Sequence, residues 1–269
     1  IGGDSGLIEQ PERLQELLLV PGERAEIIFT PPDEPGTTGE FHWHPTDRGY
    51  GTAFNRSSEN MMTLETVNLP EVLPAEIPDF LRKIEAYDLT GAVEMDIALT
   101  IKNLSNGKLE MGVNDVPWWE SEPLHATVGE THVWRIINNT DFDHPFHLHG
   151  FFFQVLDDSR LPELKDTVNV PQHSELLIAV QFDERPGTWM LHCHILHHMM
   201  NHMVSMVGPM GMAGQGQQGM QDLGREAEAR QRERQRQEHG QEPPPAWRGG
   251  AVRYSPICST ISTPSTETA

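Results

Sequence analysis

Residues 187–203, GTWMLHCHILHHMMNHM, hold Cys193, five histidines and four methionines. The core of this stretch, LeuHisCysHis, constrains the backbone more than any other part of the chain. On a strand, side chains two apart share a face and the one between them points away. His192 and His194 would then project to one side and Cys193 to the other.

A second cluster, DHPFHLHGFFFQVL, carries His144, His147 and His149. By the same geometry His147 and His149 share a face. If the two strands pair, four imidazoles meet on one side of the sheet and the thiolate stands on the other. That arrangement suits two metal sites bridged by one backbone segment. On the thiolate side, His144 lies across a proline from His147 and can face oppositely. His198 and Met203 follow Cys193 closely enough for the chain to leave the strand and fold back. Two His, one Cys and a weak axial Met form a trigonal blue-copper electron-transfer site. Zinc also takes His and Cys but has little use for a thioether.

The remaining chain reads as all-β. In EMDIALTIK, Met95, Ile97, Leu99 and Ile101 alternate with polar or small residues, the period of a half-buried strand. THVWRIINN, FFFQVL and SELLIAVQF follow, with Leu176, Ile178, Val180 and Phe182 on one face of the last. Turn clusters at sandwich spacing separate these runs, and no long helical pattern intervenes. At 269 residues the chain is long enough for one large or two modest domains. Residues 1–35 read as the end of a β domain, with the turn ValProGlyGluArg before a strand AlaGluIleIlePhe. Residues 36–75 have connector composition, 76–207 form the sandwich, and 208–269 read as a low-complexity, disordered tail. A hydrophobic content of 37% with 7% aromatics fits a chain that is partly unpacked tail.

Charge and cysteine content narrow the functional classes. A net charge of -21 excludes nucleic acid as a natural partner, because phosphate binding needs a basic surface; acidity of this kind keeps an exported protein soluble. The two cysteines, Cys193 and Cys258, do not make a disulfide framework. No apolar run is long enough to span a bilayer.

HPFHLHG followed by HCHILHHMMNHM resembles the two carboxy-terminal copper motifs of the multicopper oxidases: laccases, bilirubin oxidases and copper-efflux oxidases. H-x-x-H-x-H and H-C-H-x-x-x-H-x-x-x-x-M are matched at every ligand position, and PGERAEIIF and GTWMLHCHI add flanking similarity over residues 1–207. The resemblance implies a cupredoxin-like Greek-key β-sandwich preceded by the remnant of another cupredoxin domain. It implies that His144, Cys193, His198 and Met203 hold type 1 copper, His147 type 2 copper, and His149, His192 and His194 the type 3 pair. Electrons from a phenolic or metal-ion donor would pass from Cys193 through His192 and His194 to a trinuclear cluster that reduces O2 to water. The family's cluster takes eight histidines, of which His147, His149, His192 and His194 are four. The chain also starts IGGDSG with no initiator Met or signal, so a preceding domain is expected to supply the rest. Periplasmic or secreted location is implied in the same way. The alternative class is a blue-copper carrier or copper-binding tolerance protein without oxidase turnover, against which the four additional histidines argue.

Several features depart from the family pattern. His42 and His44 in FHWHP imitate an amino-terminal copper motif but lack its following glycine, and are read as connector or rim residues. Met199, Met200 and His197 stand where relatives often carry proton-delivering acids. Asp166 in LysAspThrVal is read as a turn residue, with a carboxylate role in proton delivery as the alternative. The surplus His197, Met199, Met200, His202, Met206, Met210 and Met212 suits either soft Cu(I) binding or adaptable packing. Trp118 and Trp119 suit a donor-pocket rim or the core.

Overall fold

The computed structural model describes residues 1–30, 32, 34–49, 56–67, 76–156, 162–210 and 259–262. The amino-terminal part holds β1 (Gly2–Gly3), β2 (Gly6–Leu7), β3 (Glu16–Leu19), β4 (Thr38–His44) and β5 (Glu59–Glu65). The sandwich is built from β6 (Val93–Asn103), β7 (Leu109–Val113), β8 (Leu124–Thr127), β9 (Thr131–Asn138) and β10 (His144–Leu148). It continues with β11 (Phe153–Val155), β12 (Thr167–Val170), β13 (Ser174–Gln181), β14 (Trp189–Cys193), helix α1 (Leu196–Met200) and β15 (Val204–Met210); β16 (Ser259–Ser262) comes last.

Two five-stranded sheets make the cupredoxin-like sandwich, in the orders β12-β10-β14-β15-β8 and β11-β13-β9-β6-β7. From β7 to β14 each strand lies in the sheet opposite to its predecessor, so every connection crosses the core and ties the layers together. Period-2 alternation drives the packing. Ile97 and Leu99 of β6, Trp134 and Ile136 of β9, and Ile178 and Val180 of β13 are all buried. They meet Phe146, Leu148, Leu191 and Cys193 from the other sheet in one core. Each large apolar side chain buried there contributes roughly 1.5–3 kcal/mol. The strands read from EMDIALTIK, THVWRIINN, FFFQVL and SELLIAVQF are all present.

The structure adds detail in three stretches. Within the stretch of connector composition, 36–75, β4 and β5 pair antiparallel with a register shift between Phe41 and His42. Polar and turn-forming neighbours hide these short strands in the sequence. The AlaGluIleIlePhe run forms no strand; only Glu26 makes a bridge, to Gly2, and Ile27, Ile28 and Phe29 are exposed. Phe29 instead packs edge-on against Phe41 of β4, ring centroids 5.1 Å apart, without joining its ladder. In the stretch 208–269, residues 208–210 complete β15, and β16 pairs with both β3 and β4. Residues 211–258 and 263–269, including Met212 and Cys258, lie outside the described residues. No helix among the described residues is long and apolar enough to cross a membrane.

Candidate metal centres

β10 and β14 lie side by side and antiparallel, with Phe146 opposite Cys193, His147 opposite His192 and Leu148 opposite Leu191. Opposed residues share a face, so register alone separates the chemistry. Cys193, Leu191, Phe146 and Leu148 enter the core, while His147 and His192 meet on the outer face. His149 and His194 continue that outer row: the His149 N–H donates to the Met190 carbonyl at 2.9 Å and the His194 N–H to the Pro145 carbonyl at 2.7 Å.

The inner centre forms where the strand ends. After Cys193 the five-residue helix α1 reverses the chain and returns His198 to the sulfur. Cys193 Sγ lies 3.5 Å from His144 Nδ1 and 3.5 Å from His198 Nδ1, and the two nitrogens are 3.1 Å apart. A point equidistant from these three atoms lies about 2 Å from each, close to the length of a metal–imidazole bond. All three residues are buried. Met203 is fully buried beside them, its N–H donating to the His198 carbonyl and its carbonyl accepting from the Cys193 N–H, both at 3.2 Å. Burial lowers His144 to a pKa of about 4. Burial, then the neighbouring His144, lowers His198 to about 3. Both imidazoles are therefore neutral, the form a metal takes, while burial raises the Cys193 thiol to about 12. A metal there must displace the thiol proton.

The outer centre is more open. The ligand atoms of His147, His149 and His192 lie within 4.8 Å of one another; the Nε2 atoms of His149 and His192 are 3.1 Å apart. His194 joins them, its ring centroid 5.1 Å from His147 and 5.3 Å from His192. Two carbonyls fix the tautomers. His147 Nδ1–H donates to the Asp166 carbonyl and His192 Nδ1–H to the Cys193 carbonyl, each at 2.9 Å. Both Nε2 atoms are thereby left as acceptors toward a metal. Burial lowers His192 to about 4 and also depresses His149 and His194, with the neighbouring imidazoles adding to the effect.

Some supporting residues were not found in the sequence. The Thr140 hydroxyl gives its proton to Asn138 Oδ1 at 2.8 Å and accepts from His144 Nε2 at 2.7 Å, which turns Nδ1 toward the sulfur. The amino-terminal segment packs against the outer centre. Arg24 grips Asp166 through two hydrogen bonds of 2.6 and 2.7 Å, and buried Asp4 accepts from the backbone N–H of Arg24 and of Thr167. A Cβ on Gly22, at φ 95°, would lie 2.9 Å from the His194 ring. Asp166 is thus more than a turn residue. Burial pushes its carboxyl up, but hydrogen bonds from His147, Arg24 and Thr167 hold it well below the ordinary range. The partners of Arg24 and Asp4, more than 140 residues away, were not visible in the sequence.

Other candidates stand apart. His42 pairs with Glu40 at 2.9 Å and His44 with Ser58 at 2.6 Å; neither belongs to the two donor clusters among the described residues. Trp119 packs edge-on against His202, centroids 4.0 Å apart, and remains 39% exposed. Leu196 and Met200 on α1 are also exposed, at 54% and 68%.

Comparison with known proteins agrees with this geometry. Residues 89–208 match the family model described as multicopper oxidase. The chain is 27% identical over 230 residues to a laccase of Bacillus subtilis, covering 74% of this chain and 43% of that protein. It is 36% identical over 217 residues to a multicopper oxidase of Staphylococcus haemolyticus, covering 77% and 42%. The chain thus spans less than half the length of these relatives. Among solved structures, the McoA multicopper oxidase of Aquifex aeolicus superposes with a TM-score of 0.63 at 24% identity, covering 77% of this chain and 48% of that one. A multicopper oxidase of Campylobacter jejuni, a metallo-oxidase, gives 0.65 at 23%, covering 78% and 48%. At these identities both support the fold. A family whose cofactor is copper, a matching sandwich and two donor sets of the right residue types lead to one conclusion: this chain belongs to the multicopper oxidase family.

Proposed function

We propose that this chain is the carboxy-terminal part of a laccase-like multicopper oxidase that oxidises phenolic or metal-ion donors one electron at a time and reduces O2 to water. The placement of the thiolate set and the imidazole set on opposite faces of the β10–β14 pair carries this reading. His144, Cys193, His198 and Met203 would hold the type 1 copper, His147 the type 2 copper, and His149, His192 and His194 the type 3 pair. Bound copper would supply the one-electron chemistry at the inner centre and the O2 chemistry at the outer one. Cys193 is covalently continuous with His192 and His194, so one stretch of backbone links the two centres. Thr140 and the Asp166 carbonyl hold imidazole protons away from the metal positions.

The outer centre holds four histidines of the eight that the family's cluster takes, and the other four are proposed to come from a preceding domain. The exposed Trp119, Leu196 and Met200 beside the inner centre support donor approach from that side. Periplasmic or secreted location is part of the same proposal. A blue-copper carrier would have no use for the outer histidines, and the protein is therefore assigned to the oxidases.

The direct test is Cys193→Ser in the copper-loaded protein. The intense visible thiolate-to-copper band should vanish while the far-UV circular dichroism stays unchanged. A mutant that remains blue would place the thiolate ligand elsewhere.

A further inference from the structure

The amino-terminal segment reaches the outer centre through one guanidinium. From Arg24, Nη1 donates to the Gly22 carbonyl at 3.0 Å and to Asp166 Oδ1 at 2.6 Å. Nη2 donates to the Asp4 carbonyl at 2.8 Å and to Asp166 Oδ2 at 2.7 Å. The Asp4 carboxylate, fully enclosed, locks the same corner by accepting the Arg24 N–H at 2.9 Å and the Thr167 N–H at 3.2 Å.

Two of these contacts lead on to imidazoles. On one side the Asp166 carboxylate accepts the Thr167 hydroxyl at 2.8 Å. The His147 Nδ1–H is shared between that hydroxyl and the Asp166 carbonyl, each at 2.9 Å. On the other side Gly22 lies so close to the His194 ring that a Cβ there would sit 2.9 Å from it. The two rings supported in this way are 5.1 Å apart, centroid to centroid. Arg24 thus spans the supports of both. Its side chain is half-exposed, and an ion pair that open adds little stability. What a rigid planar fork supplies instead is geometry.

We propose that Arg24 is a positioning residue of the outer centre: its fork fixes the support of His147 against that of His194 and holds the two imidazoles in one arrangement for copper. It touches neither metal nor substrate and acts through Asp166, Thr167 and Gly22. The inference rests on the copper assignment of the outer centre above. Groups that orient a ligating histidine through its other ring nitrogen change metal affinity by about 10–100-fold when removed.

The test is a Cu(II) titration of the parent chain, Arg24→Gln and Arg24→Lys with two readouts. The visible thiolate band reports the inner copper, and the non-blue Cu(II) signal in electron paramagnetic resonance reports the outer one. Arg24→Gln should weaken binding at the non-blue site by about tenfold or more and alter its hyperfine splitting, with the blue band unchanged. Arg24→Lys keeps the charge but loses the fork, and should do nearly the same. An unchanged non-blue signal in Arg24→Gln overturns the inference. Full recovery in Arg24→Lys also overturns it, since charge alone would then suffice. Loss of both signals in both variants does so too, leaving Arg24 a packing role only. His147→Ala and His149→Ala identify a different failure, because each should remove the non-blue signal. A signal that survives both, or a parent without one, overturns the copper assignment of the outer centre and the inference with it.

Discussion

At the scale of single residues, the inner centre depends on what each side chain is denied. His144 cannot turn, because Thr140 holds its Nε2. His198 cannot protonate near neutrality, because burial holds it near a pKa of 3. Met203 cannot leave, because its backbone is bonded to both His198 and Cys193. As the proposed fourth ligand, its thioether would tune the potential more than it holds the metal. Met203→Leu should accordingly leave the protein blue and raise its potential, and Met203→Gln should lower it. Redox titration of the visible band checks both. Unchanged potentials in the two variants would put the axial ligand at another methionine, Met199 or Met206.

At the scale of elements, the β10–β14 pair concentrates buried ionisable groups, and this gives the copper-free protein a bounded pH range of stability. Burial holds His144 and His192 near a pKa of 4 against an ordinary 6.5. Between those values the unfolded chain binds protons that the folded chain does not, so stability falls as pH drops from 6.5 toward 4. By pH 5 the loss is about 2 kcal/mol for each well-buried imidazole. Burial raises Cys193 from 9.0 to about 12, and a raised thiol acts in the opposite sense. Its contribution is complete below pH 9 and is lost as pH rises toward 12. Urea unfolding of copper-free protein should therefore give its highest midpoint between about pH 6.5 and 9, falling on both sides. A flat profile from pH 7 to pH 5 would mean that these imidazoles are solvated.

This pair of strands was also the most legible element. His-x-His and His-Cys-His spacing is periodic, and periodicity survives in sequence because strand geometry alone converts it into faces. The alternating core strands were readable for the same reason. β4 and β5 were not, because their apolar content is interrupted and their pairing depends on a partner rather than on a pattern of their own. Arg24 and Asp4 were illegible for a different reason. Each bonds a residue distant in the chain, and nothing local to the arginine in PGER encodes which loop it will reach.

At the scale of the whole molecule, the two centres are unequal. The inner one has three ligand atoms converging from β10, β14 and α1, with Met203 between α1 and β15. The outer one is a partly open row of four imidazoles on one sheet face, backed by Gly22, Arg24 and Asp4 from the amino-terminal segment. Under the proposed function, such a row would close against a matching row from a neighbouring domain. The measurement that tests this most directly is an oxygen-electrode assay of the chain as it stands, loaded with copper and given a phenolic donor. The chain should turn blue, accept one electron at the inner centre and show no sustained oxygen uptake. Steady reduction of O2 to water by this chain alone would contradict the account, and would mean that His42 and His44, or a second copy of the chain, complete the outer centre.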